Sequence, residues 1–398
     1  MLSESFGVVD CFVSGSEILQ SKLPHVGTTI FTVMSKMAQD HGALNLSQGF
    51  PDFDCPDRLK ELVSLYLYDN KNQYPPMAGV LPLRESIAQK VQSLYGTTPD
   101  AETEITVTSG ATEALFDVVQ AVVSPGDEVI MFDPAYDSYE PAVALAGGKS
   151  VRIPLSLPDY RIDWDRCASA ITSRTRLVII NSPHNPCGSV NSRDDLDALA
   201  QLLRERDDIY VLSDEVYEHM VYDNASHVSV LCHAELRQRS FAVFSFGKTY
   251  HATGWKVAYC VAPTRLTAEF RKVHQFVTFT TNSFVQYALA DFMRECPQHA
   301  TDLPAFYQQK RDLFCELLKD SRFQYSPSDG TYFQLVDYSE ISDLSDMEFC
   351  NYITREKGVA AIPLAPFYES PPDTRIIRFC FCKDDSTLEQ AAEILCKL

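Results

Sequence analysis

The sequence predicts an α/β protein: a large domain on a mostly parallel seven-stranded sheet flanked by helices, joined to a smaller α+β domain. Three observations lead there. Seven short runs, ITVT, VIMF, KSVRIPL, TRLVIIN, IYVLSDE, FAVFSF and WKVAYCVA, are mostly apolar throughout rather than alternating, as strands buried on both faces are. Stretches of helical spacing lie between several of them, the βαβ pattern of a parallel sheet. After about residue 300 the order changes to helix, strands, helix. A length of 398 residues suits one large core and a second, smaller one.

Taken in order, residues 1–22 carry weak periodicity and read as an N-terminal extension. The large domain is expected over 45–295. Its first regular strand is Glu104-Ile105-Thr106-Val107-Thr108, followed by Ser-Gly-Ala-Thr and the helical run ALFDVVQAVV. The turn PGD opens the next strand at Glu128, and the remaining five runs follow. A polar-apolar stretch from Arg265 to Glu295 reads as helical and is expected to leave the large domain. The small domain, 296–398, runs LPAFYQQKRDLFCELLKD, TYFQLVDY, DMEFCNYITREKG, VAAIPL, RIIRFCF and STLEQAAEILCKL.

Composition excludes several function classes. The formal net charge is −20 and Lys/Arg clusters are missing, so a nucleic-acid footprint is not expected, and an anionic ligand needs a local positive pocket. No apolar run approaches the ~18 residues of a membrane span. The first residues include Glu4 and Asp10 and no early Lys or Arg, which speaks against a signal or transit peptide and for the cytoplasm. Twelve cysteines lie between Cys11 and Cys396 without CxxC pairs or metal-ligand spacing, so they read as buried thiols and no metal is expected. In the CxC of Cys380 and Cys382 the two side chains are expected on opposite faces of a strand.

The chemistry gathers at strand ends, where open α/β sheets bind ligands. Ser109-Gly110-Ala111-Thr112 opens a helix, and free N–H groups there suit a phosphate. The other ends carry Asp133-Pro134-Ala135-Tyr136, the loop Ser182–Gly188 with Asn185, Asp214-Glu215-Val216-Tyr217, and Gly247-Lys248. A phosphate site, an aromatic, an amide, a carboxylate with a tyrosine and a lysine together describe a pocket for pyridoxal phosphate. The lysine would hold it as a Schiff base, and the carboxylate would keep the ring nitrogen protonated.

The motifs LSQGFPDF, NQYPPMAGVLPLRESIA, VTSGATEAL, FDPAYDSY, NSPHNPCG, LSDEVYEHM, SFGKTYHATGWKVAYCVAP and IIRFCF stand in one order over residues 23–398. In this the sequence resembles the class I aminotransferases of fold type I. Within that class it is most similar to the bacterial methionine aminotransferases, and next to the glutamine/kynurenine aminotransferases. The resemblance implies that Lys248 anchors the cofactor and moves the Cα proton, and that Asp214 pairs with the ring nitrogen. It implies that Asn185 and Tyr217 hydrogen-bond the ring oxygen and that Tyr136 stacks on the ring. Gly110, Ala111 and Thr112, with Ser245 and Lys256, would hold the phosphate. Tyr74 would reach the phosphate of a neighbouring subunit, which implies a homodimer with shared sites. Arg378 would grip the substrate carboxylate by a bidentate fork, with Asn185 and the backbone at Gly49 beside it. Residues 23–44 would form an arm and lid segment belonging to the small domain. Two positions depart from the family: Cys187 stands where threonine is frequent, and Ala258 where glycine is frequent.

The resemblance also bears on the substrate. Aspartate-type relatives use a second arginine for the distal carboxylate, and neither VTFTTNSFVQYALADF nor GTTIFTVM contains one. Both are rich in Phe, Thr and Val, which favours a neutral, apolar side chain. Methionine, aromatic amino acids and glutamine are the expected donors to a 2-oxo acid in a ping-pong reaction of amino-acid metabolism. Phe31, Phe279 and Tyr74 are the candidate pocket walls. The alternative is a kynurenine/glutamine aminotransferase with cysteine-conjugate β-lyase activity. A β-lyase proper, and a regulator carrying an aminotransferase-like domain, are further readings; the short N-terminus disfavours the second. His184, His251 and His274 have no evident partner in the sequence and read as structural.

Overall fold

The computed structural model describes residues 20–398; residues 1–19 of the expected extension lie outside the described residues. A two-residue strand, β1 (Leu44–Asn45), comes first. The seven expected runs follow as β2 (Ile105–Thr108), β3 (Glu128–Asp133), β4 (Lys149–Pro154), β5 (Thr175–Asn181), β6 (Tyr210–Asp214), β7 (Ser240–Ser245) and β8 (Ala258–Val261). They form one sheet in the order β2-β8-β7-β6-β5-β3-β4. All pairings are parallel except those of β8, which runs antiparallel to both β2 and β7, with Ser245 opposite Ala258.

The apolar runs are continuous because both faces of the sheet are covered. In β5, Val178 and Ile180 join one core, with Leu59 and Leu62 of the helix Asp57–Tyr68 and Leu83, Ile87 and Val91 of the helix Leu81–Tyr95. Leu177 and Ile179 join the other, with Leu115 and Val118 of the helix Ala111–Val122 and Leu266 and Phe270 of the helix Thr264–Val277. A period of two thus sends successive side chains into two different cores.

The long stretch expected as one helix up to Glu295 is two helices, Thr264–Val277 and Ser283–Glu295. The break holds Phe279 at φ 69°, a left-handed value that no helix continues through. Nor does the second helix depart: Val285, Ala288, Leu289 and Phe292 pack into the same core as Leu59 and Leu83. The expectation that this stretch leaves the large domain is therefore corrected.

The C-terminal part pairs the long helix Gln298–Leu318 with the sheet β11-β12-β9, where β9 is Phe333–Asp337, β11 Ile362–Pro363 and β12 Ile376–Cys380. VAAIPL, expected as one strand, is split: Val359–Ala360 is β10, pairing parallel with β1, and β11 joins the other sheet. Helix Ile30–His41 delivers Ile30 and Met34 into the core built by Phe314, Phe349, Ile377 and Leu388. No helix among the described residues is long and apolar enough to cross a membrane.

The CxC expectation is also corrected. Cys380 and Cys382 turn to the same side, with their sulfurs 3.1 Å apart and both residues buried. Residues i and i+2 share a face in extended chain, so the expected opposition was a misreading of the period.

Candidate active site

A cavity of about 240 Å³ opens at the carboxyl ends of the sheet strands. Its lining includes Lys248, Asp214, Tyr217, Asn185, Tyr136, Gly110, Ala111, Thr112, Ser245, Lys256, Gly49, Phe31 and Arg378. The expected site residues thus come to one place, except Tyr74 and the candidate wall Phe279. Tyr74 is 86% exposed and lies outside the lining, its ring against that of Phe279 at 5.6 Å. Neither Tyr74 nor Phe279 walls this cavity: Tyr74 lies in the loop between the helices Asp57–Tyr68 and Leu81–Tyr95, and Phe279 in the turn before the helix Ser283–Glu295.

Local chemistry explains each placement. Asn181 ends β5; its Oδ1 accepts from the Asn185 N–H at 2.8 Å and its Nδ2 donates to the Asp214 carbonyl at 2.8 Å, so one amide aims the Asn185 loop and fixes the end of β6. Gly110 has φ 88°, and a Cβ there would meet the Lys256 Nζ at 3.0 Å. Only glycine lets that turn approach the lysine so closely. Lys256, itself at φ 55°, is exposed at the cavity mouth.

Asp214 is buried, and burial pushes its carboxyl up to about 6, against the Tyr139 hydroxyl that donates to Oδ2 at 2.6 Å. A cationic ring nitrogen beside it would favour the carboxylate. Burial brings the Lys248 ammonium down to about 8, and its Nζ donates to the Tyr332 hydroxyl at 2.8 Å and the Gly49 carbonyl at 3.3 Å. The Tyr332 hydroxyl donates to the same carbonyl at 2.5 Å. Arg378 is fully buried. Its Nη1 donates to Asn185 Oδ1 at 2.6 Å, its Nη2 to the Ser47 carbonyl at 3.0 Å, and its Nε has no partner among the described residues. The Phe333 ring lies 3.8 Å from its carbon and the Phe31 ring 5.5 Å. Despite a net charge of −20, the lining carries Lys248, Lys256 and Arg378 against the single carboxylate of Asp214.

Several residues here are not among the sequence candidates. Tyr332 and Phe333 precede and open β9, and Gln48, whose Nε2 donates to the Phe31 carbonyl at 2.9 Å, lies inside LSQGFPDF without drawing notice. Tyr139, three residues after Tyr136, could have been found as a second aromatic beside Asp214. Two of the histidines have contacts that the sequence does not show: His274 faces Glu113 at 2.6 Å and the Met77 carbonyl at 3.0 Å, and His251 meets the Tyr307 hydroxyl at 3.0 Å, while the buried Nδ1 of His184 lacks a partner among the described residues.

The family model for aminotransferase class I and II matches residues 42–395. The chain belongs to that family. The aminotransferase is 55% identical to the methionine aminotransferase of Escherichia coli over 96% of its own length and 98% of the relative's. A solved structure of an Escherichia coli protein with methionine aminotransferase function superposes with a TM-score of 0.94, over 96% of this chain and 100% of that one. Human kynurenine–oxoglutarate transaminase 3 is 34% identical over 94% of this chain and 89% of its own. The fold is that of the fold type I enzymes, and the cofactor of this aminotransferase is pyridoxal phosphate. The donor set fits it: a glycine turn closed on by a lysine, a buried carboxylate, and a lysine depressed by burial on one cavity wall.

Proposed function

We propose that this aminotransferase takes the amino group from a neutral, largely apolar amino acid, methionine before aromatic donors and glutamine, and passes it to a 2-oxo acid. One observation carries the substrate reading: Arg378 is the sole arginine in the lining among the described residues, and the walls beside it are Phe31 and Phe333. A single fork serves the α-carboxylate and, with Lys248 and Lys256 assigned to the cofactor, leaves no second arginine for a distal one. The identity to the Escherichia coli methionine aminotransferase supports the same choice.

Bound pyridoxal phosphate supplies a carbonyl for the amine and a ring that accepts electrons. Lys248 is the residue that would hold that carbonyl and carry the proton at the substrate Cα, a task suited to an amine that burial brings down to about 8. Asp214 would pair with the ring nitrogen, Tyr217 and the free amide end of Asn185 would serve the ring oxygen, and Tyr136 would cover the ring. Gly110, Ala111, Thr112, Ser245 and Lys256 would hold the phosphate. Arg378, Asn185 and Gly49 orient the substrate carboxylate. A homodimer is part of the proposal: Tyr74 and Phe276 are 86% and 85% exposed on the outer side, where a second copy would cover them and receive Tyr74 at its phosphate. A cytoplasmic location, with its cysteines reduced, belongs to the same proposal.

The test is a single-turnover absorbance experiment without acceptor. Methionine, phenylalanine, glutamine, kynurenine and aspartate are each added to the holoenzyme, with Lys248→Ala run in parallel. Conversion of the visible band by methionine and phenylalanine but not aspartate is the expected result. Equal conversion by aspartate would sink the apolar-pocket reading, and identical behaviour of the Lys248 variant would sink the assignment of the lysine.

A further inference from the structure

Behind the glycine turn lies a buried charged node. Glu113 stands in the first turn of the helix Ala111–Val122. Its Oε2 accepts the Ser109 N–H at 2.8 Å, and its Oε1 lies 2.6 Å from His274 Nδ1. The other ring nitrogen of His274 is 3.0 Å from the Met77 carbonyl oxygen, which can only accept. Both ring nitrogens therefore face acceptors, and an imidazolium satisfies both at once. His274 and Asp117 are fully buried, and Asp117 Oδ2 is 3.5 Å from the same Nδ1; burial pushes the Asp117 carboxyl up to about 8, so the imidazolium stands against the one carboxylate of Glu113. A metal ion does not fit between these groups: ligands on bonds of about 2 Å stand roughly 3 Å or more apart, and 2.6 Å has room for a proton only.

The placement of Glu113 is otherwise hard to reconcile with the turn's task. A carboxylate in the first turn of a helix competes with any anion brought to that helix end. We propose that His274 is a positioning residue of the phosphate cradle: its charge cancels that of Glu113, which then fixes the Ser109 amide without repelling the cofactor's phosphate. His274 is shared between two elements, since through Met77 it also anchors the turn that follows Tyr74. The inference rests on the reading that the turn Ser109–Thr112 takes the phosphate of pyridoxal phosphate.

The experiment measures the dissociation constants of pyridoxal phosphate and of pyridoxal, which lacks the phosphate, on apoprotein prepared from wild type, His274→Gln, Glu113→Gln and the double variant. His274→Gln is expected to weaken pyridoxal phosphate roughly 10-fold, about 1.4 kcal/mol, the upper part of the range for a charge at a helix end, and to leave pyridoxal unchanged. The double variant is expected to return to within about 3-fold of wild type, because the uncancelled carboxylate is gone. Glu113→Gln alone is expected to bind equally well or more tightly. A double variant weaker than His274→Gln, or equal losses for both ligands, overturns the proposal and leaves the cofactor site standing. Should His274→Gln not fold, a 10-fold loss in Glu113→Gln alone overturns it and retained affinity in the folded double variant upholds it. Wild-type apoprotein that does not prefer pyridoxal phosphate over pyridoxal would instead overturn the reading of the turn itself.

Discussion

Arg378 and Asn185 are held together at 2.6 Å, guanidinium Nη1 to amide Oδ1, across 193 residues of sequence and inside a fully buried setting. The bond spends the acceptor end of Asn185 on the arginine and leaves its donor end for the cavity. It also sets the plane of the guanidinium against the Phe333 ring. Lysine can reproduce neither the fork nor the stacking. Arg378→Lys is expected to lower kcat/KM for every donor by ~10²–10³, matching about 3–4 kcal/mol for a lost charge-assisted pair. Steady-state kinetics with methionine and phenylalanine check this; a loss confined to one donor would point to side-chain recognition instead.

Lys248 gives a stability test with a definite sign. Burial brings its ammonium from 10.5 to about 8, so the native state of the apoprotein carries a cost of up to about 3 kcal/mol wherever both states are protonated. Partial solvent access through the cavity mouth reduces it. Below pH 8 the cost is complete. Between pH 8 and 10.5 the unfolded chain binds the proton more tightly, so stability gains with rising pH and the cost fades. Apoprotein Lys248→Met is therefore expected to melt above wild type at pH 7, with the gap closing toward pH 10.5. A gap that widens with pH would contradict the assignment.

Gly110→Ala places a methyl 3.0 Å from the Lys256 ammonium at a φ of 88°. The strain is on the order of 1–3 kcal/mol, and the lysine must retreat. Weaker cofactor retention, ~10-fold or more, is expected in dialysis against phosphate buffer. Retention unchanged would mean that the turn tolerates the side chain and does not hold the phosphate closely.

Gln48 ties the start of the helix Ile30–His41 to the site through the Phe31 carbonyl. Gln48→Ala frees that end, and with it the Phe31 ring beside Arg378. KM for methionine is expected to rise about 5-fold, roughly 1 kcal/mol, as the Nε2 bonds to the Phe31 carbonyl and the Ser35 hydroxyl are both lost, with kcat nearly intact.

If Tyr74 serves the neighbouring subunit, Tyr74→Phe spoils the partner's site while Lys248→Ala spoils its own chain's, so in a mixed dimer both lesions fall on one site. Co-expressed, the two variants are expected to form mixed dimers in which one site of two is intact and activity returns to a sizeable fraction of wild type. Additive loss in the mixture would place Tyr74 in its own subunit's site or in none.

Six of the seven strands were legible because a run such as LVII can feed two cores only if both faces are covered, while the edge strand β4 is half-exposed and was read from its β-branched run. Most lining residues were legible because they stand at the ends of those strands inside motifs, while Gly49 and Arg378 lie elsewhere and were carried by LSQGFPDF and IIRFCF. Tyr332 and Phe333 were not: they arrive from another sheet, and only the three-dimensional approach to Lys248 and Arg378 gives them a role. The break after Val277 was hidden because Thr278–Asn282 contains neither glycine nor proline, and the left-handed Phe279 has no sequence signal. His274 looked solitary because its partners sit 161 and 197 positions away.

The single reversed strand, β8, sets a length constraint on the chain. A parallel successor to β7 would need a crossover and would begin at the far edge of the sheet, leaving Lys256 a sheet's length from Lys248. Because Ser245 and Ala258 are paired across the reversal, the segment between them is a tether with both ends pinned at the ligand side. It delivers two amines of opposite duty, one to a carbonyl and one to a phosphate, at a separation that the tether alone determines. An insertion there moves one amine relative to the other without touching either, so this stretch, although it forms an external turn, should be among the least tolerant of added residues.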